Sequence, residues 1–241
     1  MKTNRIERPD LGRKVGLIIP SPNTVIEPDF RWAAPAGLSF FSTRVMLQAT
    51  TPDGLRAMNA GVAAASELIA QVTPDVVAYA CTSGSFIDGV DGLKTLMAAI
   101  KDRVGCPVVA TSECMTAALT ALVAHRVTLI TPYLDSVNET EIAFLHSCGF
   151  EVVAAHGMGL SGKEIRNVAP EEIAHQVENA DSRESDAVFV SCTDYRALEI
   201  AEMLEARLGK PVLTSNQVTL WGILRALGLP TAVPGYGRLL S

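Results

Sequence analysis

The sequence predicts an α/β fold of two pseudo-symmetric lobes, each a mainly parallel sheet flanked by helices, with a ligand site in the cleft between them. Three observations predict this fold. Short apolar segments alternate with longer helix-like segments along the chain, as in parallel α/β proteins. The alternation restarts near the middle of the chain and repeats sequence patterns of the first half. The 241 residues, 48% of them hydrophobic, suffice for one large domain or two small ones.

The first half opens with an apolar strand. Branched residues fill KVGLIIP at 14–20, which is typical of a strand buried on both faces. A helix is predicted over 51–72, with Thr51 and Pro52 at its start and Leu68 on its apolar side. The other strands of this half are predicted at 40–47, 75–81 and 107–111, and the other helices at 92–104 and 115–125.

The second half follows the same alternation. Gly149 favours the end of its first helix, because glycine tolerates the left-handed backbone found there. Pro170 favours the start of its second helix. Strands are predicted at 126–132, 150–159, 186–192 and 211–215, and helices at 137–149, 169–180, 197–209 and 218–229.

Three pairs of segments match between the halves in the same order. VGLIIPSPN matches VTLITPYLD, TPDVVAYACTSGS matches RESDAVFVSCTDY, and VGCPVVATSECMTAALTALVAH matches LGKPVLTSNQVTLWGILRALGL. Matches in one order at similar offsets indicate an internal duplication. We therefore expect an N-terminal lobe over 1–114 and a C-terminal lobe over 115–230, with the tail 231–241 packing back on the first lobe.

Composition and charge exclude several classes of protein. The net charge is −6, without a basic cluster, so a nucleic-acid partner is not expected. No apolar run approaches the roughly 18 residues that a membrane span needs. The first residues, MKTNRIERPDLGRK, lack the apolar segment of a signal peptide. A cytoplasmic protein that does not enter a membrane is the expectation.

The cysteines and histidines predict neither disulfides nor a metal site. An odd number of cysteines in a chain of this size indicates reduced thiols. CxxC pairs are absent, and His125, His146, His156 and His175 lack metal-binding spacing. The five cysteines are Cys81, Cys106, Cys114, Cys148 and Cys192.

Cys81 and Cys192 end apolar strands at equivalent positions of the two halves. Ligands of parallel α/β proteins bind beyond the carboxyl ends of strands. If the lobes pack about a pseudo-twofold axis, the two thiols face each other across one cleft. One thiolate could then remove a proton from a carbon while the other thiol delivers one to the opposite face.

The residues around these cysteines favour binding of a carboxylate. Thr82, Ser83 and Thr193 follow the two cysteines in strand-to-helix turns. Such turns present free backbone N–H groups that bind carboxylate oxygens, stabilise an enediolate and lower the pKa of a thiol. Asn23 and Tyr133 follow the first strand of each half and are expected to face the same cleft as donors to an oxyanion.

Structural interpretations stand beside these functional ones. A single buried cysteine usually only packs, and we assign that role to Cys106, Cys114 and Cys148. Two cysteines at equivalent positions, both followed by hydroxyls, favour chemistry instead. For Asp194, a cap of the next helix is favoured over a proton relay. Tyr133 is either a core ring or a donor to the ligand.

The motifs VGLIIPSPNTVIE, YACTSGSF, VTLITPYLDSVNE, VFVSCTDYR and VPGYGRLL resemble the aspartate/glutamate racemase superfamily. Within it they are most similar to the branch of maleate cis-trans isomerases, arylmalonate decarboxylases and an ectoine-utilisation group. The resemblance covers nearly the whole chain. It implies two pseudo-symmetric α/β lobes, chemistry without metal, flavin or pyridoxal cofactor, and a homodimer or higher homo-oligomer.

The resemblance also implies roles for individual residues. Cys81 and Cys192 fall on the two catalytic cysteines. Substrate contacts fall on five further positions, Asn23, Thr82, Ser83, Tyr133 and Thr193.

The presence of both cysteines implies isomerisation or racemisation of a small carboxylate or dicarboxylate. The decarboxylases carry glycine at the position of Cys81. In the isomerases, one thiolate adds to the alkene of maleate, the central bond rotates, and elimination gives fumarate. Two alternatives stay open: a decarboxylase of a malonate-type acid that uses Cys192 alone, and a small-molecule-binding protein without catalysis.

Overall fold

The computed structural model describes residues 12–241 of the chain. Most of the segment that bears on a signal peptide therefore lies outside the described residues. Across the described part, strands and helices alternate from the first strand to the last helix. None of these helices is long and apolar enough to cross a membrane.

The first half forms a four-stranded parallel sheet. Its strands lie in the order β2-β1-β3-β4. The two inner strands are almost wholly buried, because helices cover both faces of a parallel sheet. The strands are β1 (Arg13–Pro20), β2 (Leu38–Val45), β3 (Val76–Tyr79) and β4 (Val108–Ala110).

The second half forms a second parallel sheet in the equivalent order, β6-β5-β7-β8. Its strands are β5 (Arg126–Thr131), β6 (Glu151–Gly157), β7 (Ala187–Val190) and β8 (Val212–Thr214). The predicted α/β class and the pseudo-symmetric pair of parallel sheets are confirmed. Because β3 and β7 occupy the same place in the two sheets, Cys81 and Cys192 follow equivalent strands.

Helices connect the strands in both halves. Their bounds are α1 (Ile26–Ala33), α2 (Pro52–Asn59), α3 (Val62–Ala70), α4 (Thr82–Phe86), α5 (Gly89–Val104), α6 (Thr111–Ala121), α7 (Asp135–Ser147), α8 (Pro170–Ala180), α9 (Ala201–Leu208) and α10 (Ser215–Ala226). Short 3₁₀ segments lie at Gly162–Asn167, Leu198–Ile200 and Arg238–Leu240.

Two regions differ from the prediction. The segment 51–72 is two helices, α2 and α3, that meet at Ala60 and Gly61, and Leu68 is 66% exposed. The sequence reasoning also missed α1, a short amphipathic helix that follows β1. Its start is fixed by Asn23, whose side-chain Oδ1 accepts hydrogen bonds from the backbone N–H groups of Val25 and Ile26.

The two halves are joined through α10 and the C-terminal tail. Helix α10 packs against α6 and also against β3 and β4 of the first sheet. In the tail, the ring of Tyr236 packs edge-on against Trp32, with 5.2 Å between ring centroids. The Gln217 amide of α10 donates to the Tyr236 carbonyl. The division into lobes at residue 114 stays a prediction.

Candidate active site

All seven residues predicted for the site line one pocket. They are Asn23, Cys81, Thr82, Ser83, Tyr133, Cys192 and Thr193. The pocket lies where β1, β3, β5 and β7 end, because these seven residues follow the four strands within a few positions. Leu47 and Thr50 after β2, and Gly162 and Ile165 of the 3₁₀ segment, complete its wall. The described residues contain no cluster of histidine, cysteine and acidic side chains that could hold a metal ion.

Cys81 caps the N-terminus of α4 from an extended backbone (φ −145°). Its Sγ accepts a hydrogen bond from the backbone N–H of Gly84 at 3.3 Å and lies 3.8 Å from the Ser83 hydroxyl. A Cβ on Gly84 would lie 2.4 Å from the Tyr79 hydroxyl and 3.0 Å from this sulfur. Only glycine therefore allows this N–H to reach the thiol.

Burial has the largest effect on the pKa of the Cys81 thiol. It raises the pKa of the thiol to about 11, against the lowering effect of the Gly84 N–H and the Ser83 and Tyr79 hydroxyls. The turn does favour the thiolate, as the sequence suggested, but burial outweighs it. Without a ligand, Cys81 is therefore protonated at neutral pH.

Cys192 has a different backbone and different neighbours. Its φ is +98°, a region that non-glycine residues enter at a cost on the order of 1 kcal/mol. Its N–H donates to the Ser215 hydroxyl at 2.9 Å, and its Sγ accepts from the N–H of Asp194 at 3.4 Å. Burial and the Asp194 carboxylate raise the pKa of Cys192, while the backbone N–H of Asp194 lowers it.

Two hydroxyl groups tie the turns to one another. Ser215 Oγ, at the start of α10, accepts from Thr82 Oγ1 at 2.8 Å as well as from the N–H of Cys192. Thr193 Oγ1 accepts from Asn23 Nδ2 at 3.0 Å and donates to the Ala80 carbonyl at 3.2 Å. The threonines that follow the cysteines thus hold the geometry of the pocket. Ser215 was missed by the sequence reasoning, although it aligns with Thr111 in the duplicated segments.

Two side-chain donors remain for a ligand. The Tyr133 hydroxyl is buried and has no hydrogen-bond partner among the described residues. An asparagine amide carries two N–H bonds, and Asn23 uses one of them for Thr193. A buried O–H and a free amide N–H beside two thiols suit the oxygens of a carboxylate or an enediolate.

The sequence reasoning did not identify Glu141 as a residue near the site. This α7 residue is fully buried; its Oε1 accepts from the Ser191 hydroxyl at 2.8 Å, and its Oε2 has no partner among the described residues. Burial raises the pKa of Glu141 to about 8. Helical spacing gave a weak signal, since Glu141 lies one turn after the buried Asn138.

The favoured structural interpretation of Asp194, a cap of the helix that follows it, is wrong. Its Oδ1 instead accepts the N–H of Thr24 at 2.8 Å, and its Oδ2 lies 4.0 Å from Arg166 Nε. Thr24 belongs to the first half of the chain, so no spacing within the second half reveals this contact. Asp194 also lines the pocket.

Comparisons with known proteins give a consistent result. A model of the arylmalonate decarboxylase family matches residues 15–240. The chain is 32% identical over 239 residues to a maleate isomerase of Nocardia farcinica, covering 95% of each protein. It is 30% identical over 232 residues to an arylmalonate decarboxylase of Bordetella bronchiseptica, covering 94% of this chain and 96% of the relative.

Solved structures agree with the sequence relatives. One is a cysteine-to-serine mutant of the Nocardia farcinica maleate cis-trans isomerase with a covalently bound succinylcysteine intermediate. It superposes with a TM-score of 0.90 at 30% identity, covering 95% of this chain and 98% of that chain. The relatives thus fall in the two enzyme groups that the sequence motifs resemble.

Proposed function

The chain belongs to the arylmalonate decarboxylase family, and on that premise we propose that it is a cofactor-independent cis-trans isomerase of a small unsaturated carboxylate, of the maleate isomerase type. One observation carries the proposal: Cys81 and Cys192 line the same pocket, each at the end of an equivalent strand. Decarboxylation needs one proton donor, whereas reversible addition to an alkene uses a nucleophile and a separate acid–base group.

Cys81 is assigned as the nucleophile. Each sulfur receives one backbone N–H, but the Asp194 carboxylate is second only to burial in raising the pKa of Cys192, whereas it has the smallest of the effects acting on Cys81. Burial still holds the pKa of Cys81 at about 11. The thiolate is therefore a minor species at neutral pH, and its proton leaves to solvent before the addition.

The reaction then proceeds in balanced steps. The Cys81 thiolate forms a C–S bond to one alkene carbon, and the electron pair of the double bond moves onto the adjacent carbon and its carboxylate. The Tyr133 hydroxyl and the free Asn23 N–H stabilise this enediolate. The Cys192 thiol gives its proton to the carbanion carbon, and the new single bond rotates.

Elimination reverses these steps. The Cys192 thiolate takes a proton back from the same carbon, the C–S bond breaks, and the double bond re-forms in the trans geometry. Cys81 leaves as the thiolate with which the cycle began. The covalent succinylcysteine recorded in the Nocardia farcinica relative corresponds to the protonated adduct of this sequence.

An NMR assay in deuterated water tests the activity. Maleate, aspartate, a hydantoin and an aryl malonate are offered separately, so that isomerisation, proton exchange and decarboxylation are observed together. We expect cis-trans isomerisation that survives dialysis against a chelator. Exchange or decarboxylation alone would overturn the proposal, and a binding protein without catalysis would show no turnover and no preferential iodoacetamide labelling of Cys81 or Cys192.

The family match favours one second candidate, a decarboxylase of a malonate-type acid that protonates its product with Cys192 alone. The family model and the Bordetella bronchiseptica relative carry this activity in their names. This candidate predicts that Cys81→Gly keeps or gains decarboxylation of an aryl malonate. The isomerase proposal predicts that Cys81→Gly loses isomerisation.

The free thiols also bear on location. All five cysteines are free in the structure, and a reducing compartment keeps catalytic thiols from forming disulfides. Both points support the cytoplasmic location predicted above.

A further inference from the structure

The pocket holds its ligand asymmetrically. The side-chain hydrogen-bond donors without a structural use, Tyr133 O–H and one Asn23 N–H, can serve one carboxylate beside the thiols. Much of the remaining wall is apolar, from Leu47 and Ile165 with two prolines, and it also includes the carboxyl group of Asp194. The lining residues include no lysine, arginine or histidine.

The two arginines nearest to this wall are engaged elsewhere. Arg166 donates to the Pro22 carbonyl and lies 4.0 Å from Asp194 Oδ2. Arg44 donates to the carbonyls of Ser21 and Asn23 at 3.1 and 2.7 Å and pairs with Glu27. Both side chains hold the loop after β1, and neither lines the pocket.

Burial raises the pKa of Asp194, against the lowering effect of the backbone N–H groups of Thr24 and Val25 and of the charges of Arg166 and Arg44. Asp194 Oδ1 accepts a backbone N–H at 2.8 Å, as an ionised carboxylate does well. Its side chain is only 11% exposed, so water screens its charge poorly. Two negative charges a few ångströms apart repel strongly in such surroundings.

We propose that Asp194 disfavours a second carboxylate, so that the preferred substrate is a monoanion: a small cis-unsaturated acid with an uncharged polar group, such as a primary amide, at its other end. This inference rests on the proposed isomerase function and names the substrate class of the same site. Asp194 acts on selection between substrates and takes no part in the bond changes.

The test compares maleate with maleamate, its monoamide, which has nearly the same shape and one charge fewer. We expect kcat/KM of the wild-type protein for maleamate to exceed that for maleate by about tenfold or more, since like charges repel in a poorly solvated site. Asp194→Asn should lower the ratio of kcat/KM for maleamate to kcat/KM for maleate by about tenfold. A change in the acidity of Cys192 acts on both substrates alike and cancels in this ratio. The asparagine Oδ1 can still accept the Thr24 N–H.

A matched control separates this effect from general charge. Glu27→Gln removes an acid that pairs with Arg44 behind the same loop but does not line the pocket. It should leave the maleate-to-maleamate ratio unchanged. If Asp194 only holds the loop, Asp194→Asn lowers both substrates alike, and the inference fails. A wild-type preference for maleate also overturns it.

Binding gives an independent readout if neither compound is turned over, in which case the isomerase proposal itself fails. Protection of Cys81 from iodoacetamide is then measured. Protection of the wild type by maleamate only, and of Asp194→Asn by both compounds, supports the selection. Protection of the wild type by maleate, or by neither compound, overturns it.

Discussion

The two cysteine turns share a sequence motif and differ in structure. Cys81 lies in extended backbone and caps α4, whereas Cys192 has a φ of +98° and is followed by turns before α9. The third residue after each cysteine explains part of the difference. Gly84 lets its N–H reach the sulfur of Cys81, while the equivalent Tyr195 is buried, with its hydroxyl on Gln176 at 3.1 Å. Duplication thus gave two thiols with unequal chemistry.

The surroundings of the two turns are unequal as well. Asp29 and Glu141 lie 112 positions apart, the offset of the duplicated first strands, yet both reach the second turn. Glu141 accepts from Ser191, the residue before Cys192. Asp29 accepts from Asn216 Nδ2, which also donates to the Thr193 carbonyl. The strained Cys192 turn is therefore held by side-chain hydrogen bonds to both acids and from Asn216.

The largest expected effect separates the chemical roles of the two thiols. Cys81→Ala should lower kcat/KM by about 10⁴-fold or more, as loss of a nucleophile does, and should form no covalent adduct. Cys192→Ala should lose about 10²- to 10⁴-fold, as expected for an acid–base group, and should accumulate substrate bound to Cys81. Intact-protein mass spectrometry after incubation with the substrate gives the readout, and an adduct on Cys192 in Cys81→Ala would reverse the assignment.

The next effect concerns the two acids behind the Cys192 turn. Burial raises the pKa of Glu141 from 4.5 to about 8 and that of Asp29 from 3.8 to about 6. An acid whose pKa is higher in the folded state stabilises the protein fully below its unfolded pKa, and this contribution is lost as pH rises through the folded pKa. The free energy of unfolding should therefore fall between about pH 4.5 and 8 because of Glu141, by up to about 1.4 kcal/mol per pH unit.

Urea unfolding across this pH range tests the point. Glu141→Gln should flatten the decline up to about pH 8, and Asp29→Asn should flatten only the part below about pH 6. Glu139→Gln, an exposed substitution on the same helix, should leave the pH dependence unchanged. A decline that persists in Glu141→Gln would contradict the assignment.

The sequence predicts the features that the two turns share, but not the features in which they differ. Apolar periodicity and the repeated motifs predict both sheets and bring the seven site residues into one pocket, because parallel strands end at one edge. The left-handed backbone of Cys192 leaves no such signal, since Cys-Thr follows both strands. Contacts between halves, such as Ser215 with Thr82 and Asp194 with Thr24, join residues more than 100 positions apart and depend on how the lobes pack.

A smaller effect compares two buried serines in the first turns of the equivalent helices α10 and α6. Ser215 Oγ accepts from Thr82 and from the N–H of Cys192, whereas Ser112 Oγ is buried without a partner among the described residues. Ser215→Ala leaves polar groups unpaired and should cost about 1–3 kcal/mol of unfolding free energy. Ser112→Ala removes an unsatisfied hydroxyl and should change stability by less than about 0.5 kcal/mol. Equal losses in urea unfolding would show that Ser215 is not the tie between the turns.

The smallest expected effect concerns the backbone conformation at the two cysteines. Glycine adopts a φ of +98° without strain, so Cys192→Gly removes the backbone strain at this position. This gain offsets the larger loss of backbone entropy that a glycine undergoes on folding. Cys81→Gly meets an extended backbone and gains no such relief. Cys81→Gly should therefore be more destabilising than Cys192→Gly by about 1 kcal/mol in urea unfolding. The two alanine variants supply the control, because alanine keeps the strain at position 192 and should not reproduce the gap. If the glycine pair differs no more than the alanine pair, the left-handed backbone at Cys192 carries no strain, and the two turns differ in their neighbours alone.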